Sequence, residues 1–147
     1  LNEDFLDIIL HWRNSYRVRQ SMFNIEEIKT EDHINWYNKI KSNSVNYYFV
    51  YLYKNQPSGF ISFNPVEIKH KRTFWGFYKG EETLPREATL YMGFLALQKA
   101  FEDFNLNKVY GEVISSNEKS KKYFMISREF HDTVLLIILT LCEGKND

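Results

Sequence analysis

At 147 residues, with 44% apolar and 17% aromatic residues, the chain is long enough for a sizeable core, and a single domain over 1–147 is expected. Nineteen Lys and Arg balance 19 Asp and Glu, which excludes a general nucleic-acid binder, because such proteins carry a basic surplus. The one cysteine, Cys142, leaves no internal disulfide or multi-cysteine zinc site, and the 4 histidines lack metal-ligand spacing, so no metal is expected and a reducing, cytoplasmic location fits. The longest apolar run, 134–139, falls far short of the ~20 residues that cross a bilayer, and no signal peptide is visible, so no membrane is expected.

In chain order, Phe5, Ile8, Ile9 and Trp12 recur with helical spacing, and residues 4–13 read as an amphipathic helix. Val18 and Met22 suggest a short helix over 15–22. Thr30 is a plausible N-cap for a third helix over 31–42, with Ile34, Tyr37 and Ile40 inward. The texture then changes to "NYYFVYLY" (46–53), a strand, followed by "KNQPSG" as a hairpin turn and a returning strand over 59–68. A third strand covers 73–78, and a helix from about Thr89 to Phe104 carries Leu90, Phe94, Leu97 and Phe101 on one stripe. "KVYGEVI" (108–114) is a strand, Asn117 caps a helix beginning "EKSKKYF", and the apolar run over 133–141 reads as a central strand. A meander followed by strand–helix–strand gives a mixed α/β sheet.

With that order, "ILHWRNSYRVRQSMF", "GFISFNPVEIKHKRTFWGFY" and "MGFLALQKAFEDFNLNKVYGEVISSNEKSKKYF" resemble the GCN5-related N-acetyltransferases, in the branch of the ribosomal-protein acetyltransferases. Within that branch, "WRN" through "EEIKTEDHINWY", "FWGFY" and "YGEV" are most similar to enzymes that N-acetylate the 4-amino group of a UDP-linked 4-amino-4,6-dideoxy sugar in pseudaminic acid synthesis. The resemblance implies an α/β fold with a mixed, mostly antiparallel sheet, one splayed strand pair and helices on both faces. It implies acetyl-CoA as co-substrate, a nucleotide-sugar partner and no metal, and it admits a homodimer. Two departures stand out. Glu87 and Thr89 occupy the places of the family's glycines, and the step from "KKYF" to "MISREFHD" is too short for the usual strand, so residues are expected to be absent between Phe124 and His131, and also ahead of Leu1.

The chemistry assigns roles to residues. A helix N-terminus suits a pyrophosphate, and the resemblance places it at Arg86, Ala88, Thr89 and Leu90, with Arg86 adding charge and Glu87 opposing it. The pantetheine is peptide-like and can lie along a strand edge at Phe77 and Tyr78, with Asn117 and Phe124 also bordering it. Phe124 stands where relatives have a tyrosine that protonates the departing thiolate, which phenylalanine cannot do. The resemblance makes Glu112, expected to be desolvated, the candidate base, and matches Ser62 to a serine that faces the acetyl site. Arg13, Asn14, Met22, His33 and Trp75 match acceptor-pocket positions, with Arg13 pairing a diphosphate. The alternatives are the same fold acting on a protein N-terminus, a polyamine or an antibiotic, and a degenerate fold that only binds.

Overall fold

The computed structural model describes residues 1–129 and 136–142. A turn of 3-10 helix over Glu3–Phe5 leads into α1 (Leu6–Asn14), the short α2 (Tyr16–Arg19) and α3 (Thr30–Lys41). Strands β1 (Tyr47–Tyr53), β2 (Gln56–Glu67) and β3 (Arg72–Lys79) follow. Then come α4 (Arg86–Gln98), a π-helical turn over Lys99–Asp103, β4 (Lys108–Ile114), α5 (Glu118–Glu129) and β5 (Leu136–Cys142).

The sheet runs β1-β2-β3-β4-β5. It is mixed, as expected: β1–β2 and β2–β3 are antiparallel, while β3–β4 and β4–β5 are parallel, so the described pairings divide evenly rather than being mostly antiparallel. The 133–141 strand was expected to be central. Its described part, β5, instead ends the strand order and pairs with β4 alone among the described residues. Part of that run, and residues 130 and 131 of the supposed deletion, lie outside the described residues.

The β1–β2 hairpin is tighter than the sequence suggested. Lys54 and Asn55 take φ of 50° and 63°, the two left-handed residues of a turn that matches strand twist, so β2 begins at Gln56 rather than Gly59. The pairing register shifts between Tyr51 and Leu52, opposite Pro57, a residue that cannot donate to a regular ladder.

Strand alternation sends side chains to two helix-covered faces. On one, Phe60 packs with Ile9 and Trp12 of α1, and Trp36, Tyr48, Val50 and Tyr78 border them. On the other, Ile61, Phe63, Trp75, Val109 and Val113 meet Met92, Ala96, Leu97, Ala100 and Phe101 beneath α4, with Tyr123 of α5. The α1 pattern is as read from the sequence, and Tyr37, Leu97 and Phe101 are buried as expected, but each of the other two stripes has one expected residue outside, Ile34 and Phe94. On α3 the buried pair is His33 and Tyr37, with Ile34 exposed, and no side chain caps the helix: Thr30 is its first residue and Lys29 the cap. On α4 the buried residues are Ala88, Met92, Gly93, Ala96 and Leu97, while Phe94 lies outward beside Tyr91. Small residues let the helix approach a sheet already filled by Trp75 and Phe63.

Burying His33 has a pH consequence. Its Nε2–H donates to Leu6 O at 3.0 Å, and its ring stacks on Trp36. Burial holds its pKa below the ordinary 6.5, outweighing the opposing effects of the Leu6 carbonyl and Asp7. The unfolded chain therefore takes the proton more readily, so this contribution is complete above pH 6.5 and is lost as pH falls toward the folded value. Urea midpoints should drop between about pH 7.5 and 5.5 more steeply in the native chain than in His33→Gln, which keeps a donor for Leu6. Equal slopes would remove His33 from the acid response.

Candidate active site

Strands β3 and β4 part company partway along. Their pairing is confined to Arg72↔Lys108, Thr73↔Val109 and Phe74↔Tyr110, after which β3 from Trp75 to Lys79 stays paired only to β2. Strand β4 continues to Ile114 fully paired to β5 on its far side. The result is a slit whose two walls are the backbone edges of β3 and β4. This is the splayed pair anticipated above.

Three residues form a row across the slit. Ser62 pairs with Gly76, and its Oγ–H donates to Gly76 O at 3.3 Å. Continuing the β3–β4 register sets Glu112 level with Gly76 on the opposite wall. Val109, Gly111 and Val113 are buried, so the alternation turns Glu112 to the other face, the one shared by Phe74 and Tyr110, whose rings meet at 5.4 Å. Gly76 leaves the floor bare, and only Ser62 Oγ, at 3.1 Å, lies near the position of a Cβ there. Glu112 is exposed, so the expected desolvation is absent.

At one end of the slit stands the α4 N-terminus. The first intrahelical bond runs from Thr89 N to Pro85 O at 3.0 Å, which leaves the amides of Arg86, Glu87 and Ala88 without helical acceptors. Arg86 and Glu87 are exposed, while Ala88 is buried and offers only its amide. Thr89 spends its hydroxyl on Pro85 O at 3.1 Å, and Leu90 packs against the core, so neither presents a side chain to an anion. Asn117 caps α5 through Oδ1, which accepts from Ser120 N at 3.1 Å. Phe77 turns its ring to the α4 core, and Tyr78 turns to the α1 face, where burial raises its hydroxyl pKa against the opposing charge of Arg13. Phe124 falls within α5.

The preceding loop is braced from the N-terminal helices, which the sequence did not disclose. Trp12 Nε1–H donates to Glu81 Oε1 at 2.8 Å, and Arg17 donates to Lys79 O and Gly80 O at 2.9 and 2.5 Å. Gly80 N and Glu81 N donate to Ser58 O at 2.8 and 3.1 Å. A Cβ at Gly80 would lie 2.4 Å from the Trp12 ring. The glycine before α4 thus serves the indole, not a phosphate.

Four expected acceptor contacts are corrected. Trp75 is 1% exposed in the α4 core, on the face opposite Gly76. His33 is the α1–α3 contact described above. Asn14 is occupied on both amide atoms, donating to Ile28 O and accepting from Ile28 N, each at 2.8 Å. Arg13 donates from Nη2 to Asn24 O at 2.8 Å, and its Nη1 is buried, so it tethers the 20–29 loop rather than facing a diphosphate. Burial lowers its pKa, with Tyr78 opposing and Arg19 adding. Arg19 holds the same loop at Ile25 O, 3.2 Å. Met22 is half-buried in that loop.

A mixed sheet split at β3–β4, with a helix N-terminus at the mouth of the split, matches known structures. A spermidine N-acetyltransferase from Vibrio cholerae, solved with CoA and spermine, superposes with a TM-score of 0.78 at 19% identity, over 86% of this chain and 76% of that one. The fold is that of the GCN5-related N-acetyltransferases. Campylobacter jejuni N-acetyltransferase PseH, solved with acetyl coenzyme A, shares this GNAT fold at a TM-score of 0.67 and 21% identity, over 87% of this chain and 81% of that one. In sequence, the acetyltransferase PseH of C. jejuni strain 81-176 is 27% identical over 124 residues, 84% of this chain and 76% of the relative. No family model matches the chain. Among the described residues the GNAT fold here presents no group of His, Cys, Asp and Glu able to hold a metal, and no helix long and apolar enough to cross a membrane.

Proposed function

We propose that the protein is an acetyl-CoA-dependent N-acetyltransferase whose acceptor is the 4-amino group of a nucleotide-linked 4-amino-4,6-dideoxy sugar. The observation that carries the reaction is the row Ser62–Gly76–Glu112 across the slit. A pantetheine arm would lie along the β3 edge that parts from β4, and its pyrophosphate would meet the amides of residues 86–88 with Arg86 nearby. The amine nitrogen would attack the thioester carbonyl over bare Gly76. Glu112 takes the amine proton, the C–S bond breaks, and the thiolate leaves to be protonated by solvent. The sugar acceptor rests on the "WRN", "FWGFY" and "YGEV" motifs and on the likeness to PseH. Spermidine is the second candidate acceptor, favoured by the 0.78 TM-score to the V. cholerae enzyme.

The test is calorimetric titration with acetyl-CoA, then turnover with a UDP-linked 4-amino-dideoxy sugar, spermidine and an N-terminal peptide. Binding followed by turnover of the sugar alone is expected. No heat with acetyl-CoA would overturn the reaction, and turnover of spermidine alone would overturn the acceptor. Arg13→Ala should raise the acceptor KM by loosening the 20–29 loop while leaving the acetyl-CoA KM in place. An effect confined to acetyl-CoA would remove that loop from the acceptor side.

A further inference from the structure

One buried tyrosine touches both β3 and α4 and has no part in the chemistry above. Tyr123, on α5, is 8% exposed. Its ring packs on Phe77, centroid to centroid 4.5 Å, behind the part of β3 that β4 does not pair. Its hydroxyl donates to Thr89 O and Leu90 O, each at 3.2 Å, in the turn of α4 that follows the free amides. The seat for that hydroxyl exists only because residue 93 is glycine. A Cβ there would lie 1.3 Å from Tyr123 Oη, 2.3 Å from Cζ and 2.7 Å from Cε1, distances that no side-chain adjustment within a packed core absorbs.

We infer that Tyr123 is a positioning residue for the co-substrate: plugged into α4 at Gly93, it fixes the helix N-terminus at a set distance from the β3 edge and so sets acetyl-CoA affinity. The inference rests on the proposed use of acetyl-CoA. Both ends of that molecule are gripped by backbone, the phosphates by α4 amides and the pantetheine by β3. Backbone sites cannot adjust by changing rotamer, so their separation must be built in. A phenol that bonds α4 and packs on β3 supplies that spacing. Its proton points at helix carbonyls, so it is not the acid that a thiolate would need.

Tyr123→Phe removes the hydroxyl and keeps the ring on Phe77. Calorimetry should show acetyl-CoA affinity weakened about fivefold to tenfold, with kcat and acceptor KM held. The thermal midpoint should move little. Unchanged affinity overturns the inference, and so does a parallel loss of affinity, kcat and thermal midpoint, which would mark a purely structural residue. Gly93→Ala should destabilise the fold by expelling the phenol. Adding Tyr123→Leu, which lacks the clashing atoms, should restore the thermal midpoint while acetyl-CoA affinity stays weak. Recovery of both together would overturn the inference. If the native chain itself gave no heat with acetyl-CoA, the proposed function would fall first, a result distinct from any of these.

Discussion

Replacing Glu112 by Gln should lower kcat by about 10²–10⁴-fold, the usual contribution of a placed general base, and leave acetyl-CoA affinity nearly unchanged. The expectation follows from position. Glu112 is the carboxylate that the register brings level with Gly76, on the same face as Ser62. Its exposure means that it acts directly or through one water, without the help of a dry pocket. Glutamine keeps the volume and loses the proton acceptor, so a structural explanation for a kcat loss is excluded if the thermal midpoint holds. A kcat equal to the native value from about pH 6 to about pH 9 would reassign proton removal to solvent or to Ser62.

Trp12→Ala should cost about 3–5 kcal/mol of stability, the range for emptying a buried aromatic site. Trp12 is 2% exposed, packs with Ile9 and Phe60, and sits where Gly80 has no side chain. The loss should also reach the site, because the indole N–H holds Glu81, a few residues before α4 begins. Trp12→Phe separates the two effects. It retains most of the apolar contact and forfeits a hydrogen bond to a charged group, about 1.5–3 kcal/mol. Urea denaturation measures both variants. A loss below about 1 kcal/mol for Trp12→Ala would show that the N-terminal helices do not brace the loop.

Much of the architecture was legible because periodicity survives folding. The aromatic, β-branched run at 46–53 and the helical spacing of Phe5, Ile8, Ile9 and Trp12 each have one cheap way to be buried. The exposure of Ile34 on α3 and of Phe94 on α4 was not legible. In both, a less apolar residue took the inner place: His33 could satisfy its ring against Leu6 O, and alanines on α4 allowed closer approach than Phe94 would. The site divides in the same way. Glu112 and Ser62 fall on β4 and β2 and Asn117 caps α5, as the pattern read, while α4 starts at Arg86 rather than near Thr89. The N-terminal polar residues do not lie where the motifs set them, because Arg13 and Asn14 close the open backbone of the 20–29 loop, a demand that a sequence does not display. The misplaced Trp75 was avoidable. Alternation along β3 puts it on the face opposite Gly76, and a glycine inside an aromatic strand is itself a sign of close approach. Nothing in the sequence marked Tyr123, since its partner is a missing side chain at Gly93.

The brevity of the β3–β4 ladder bears on the economy of the fold as well as on its chemistry. Three residue pairs join the two halves of the sheet, and α4 holds the rest together by packing across the split. A co-substrate lying along the β3 edge would serve as a borrowed strand, restoring hydrogen bonding that the chain gives up to make room for it. The native state would then be completed by a metabolite. At a hundredfold excess of free acetyl-CoA over its Kd, mass action adds about 2.7 kcal/mol to the folded form. The amount of intact enzyme in a cell would rise and fall with the acetyl supply that it spends.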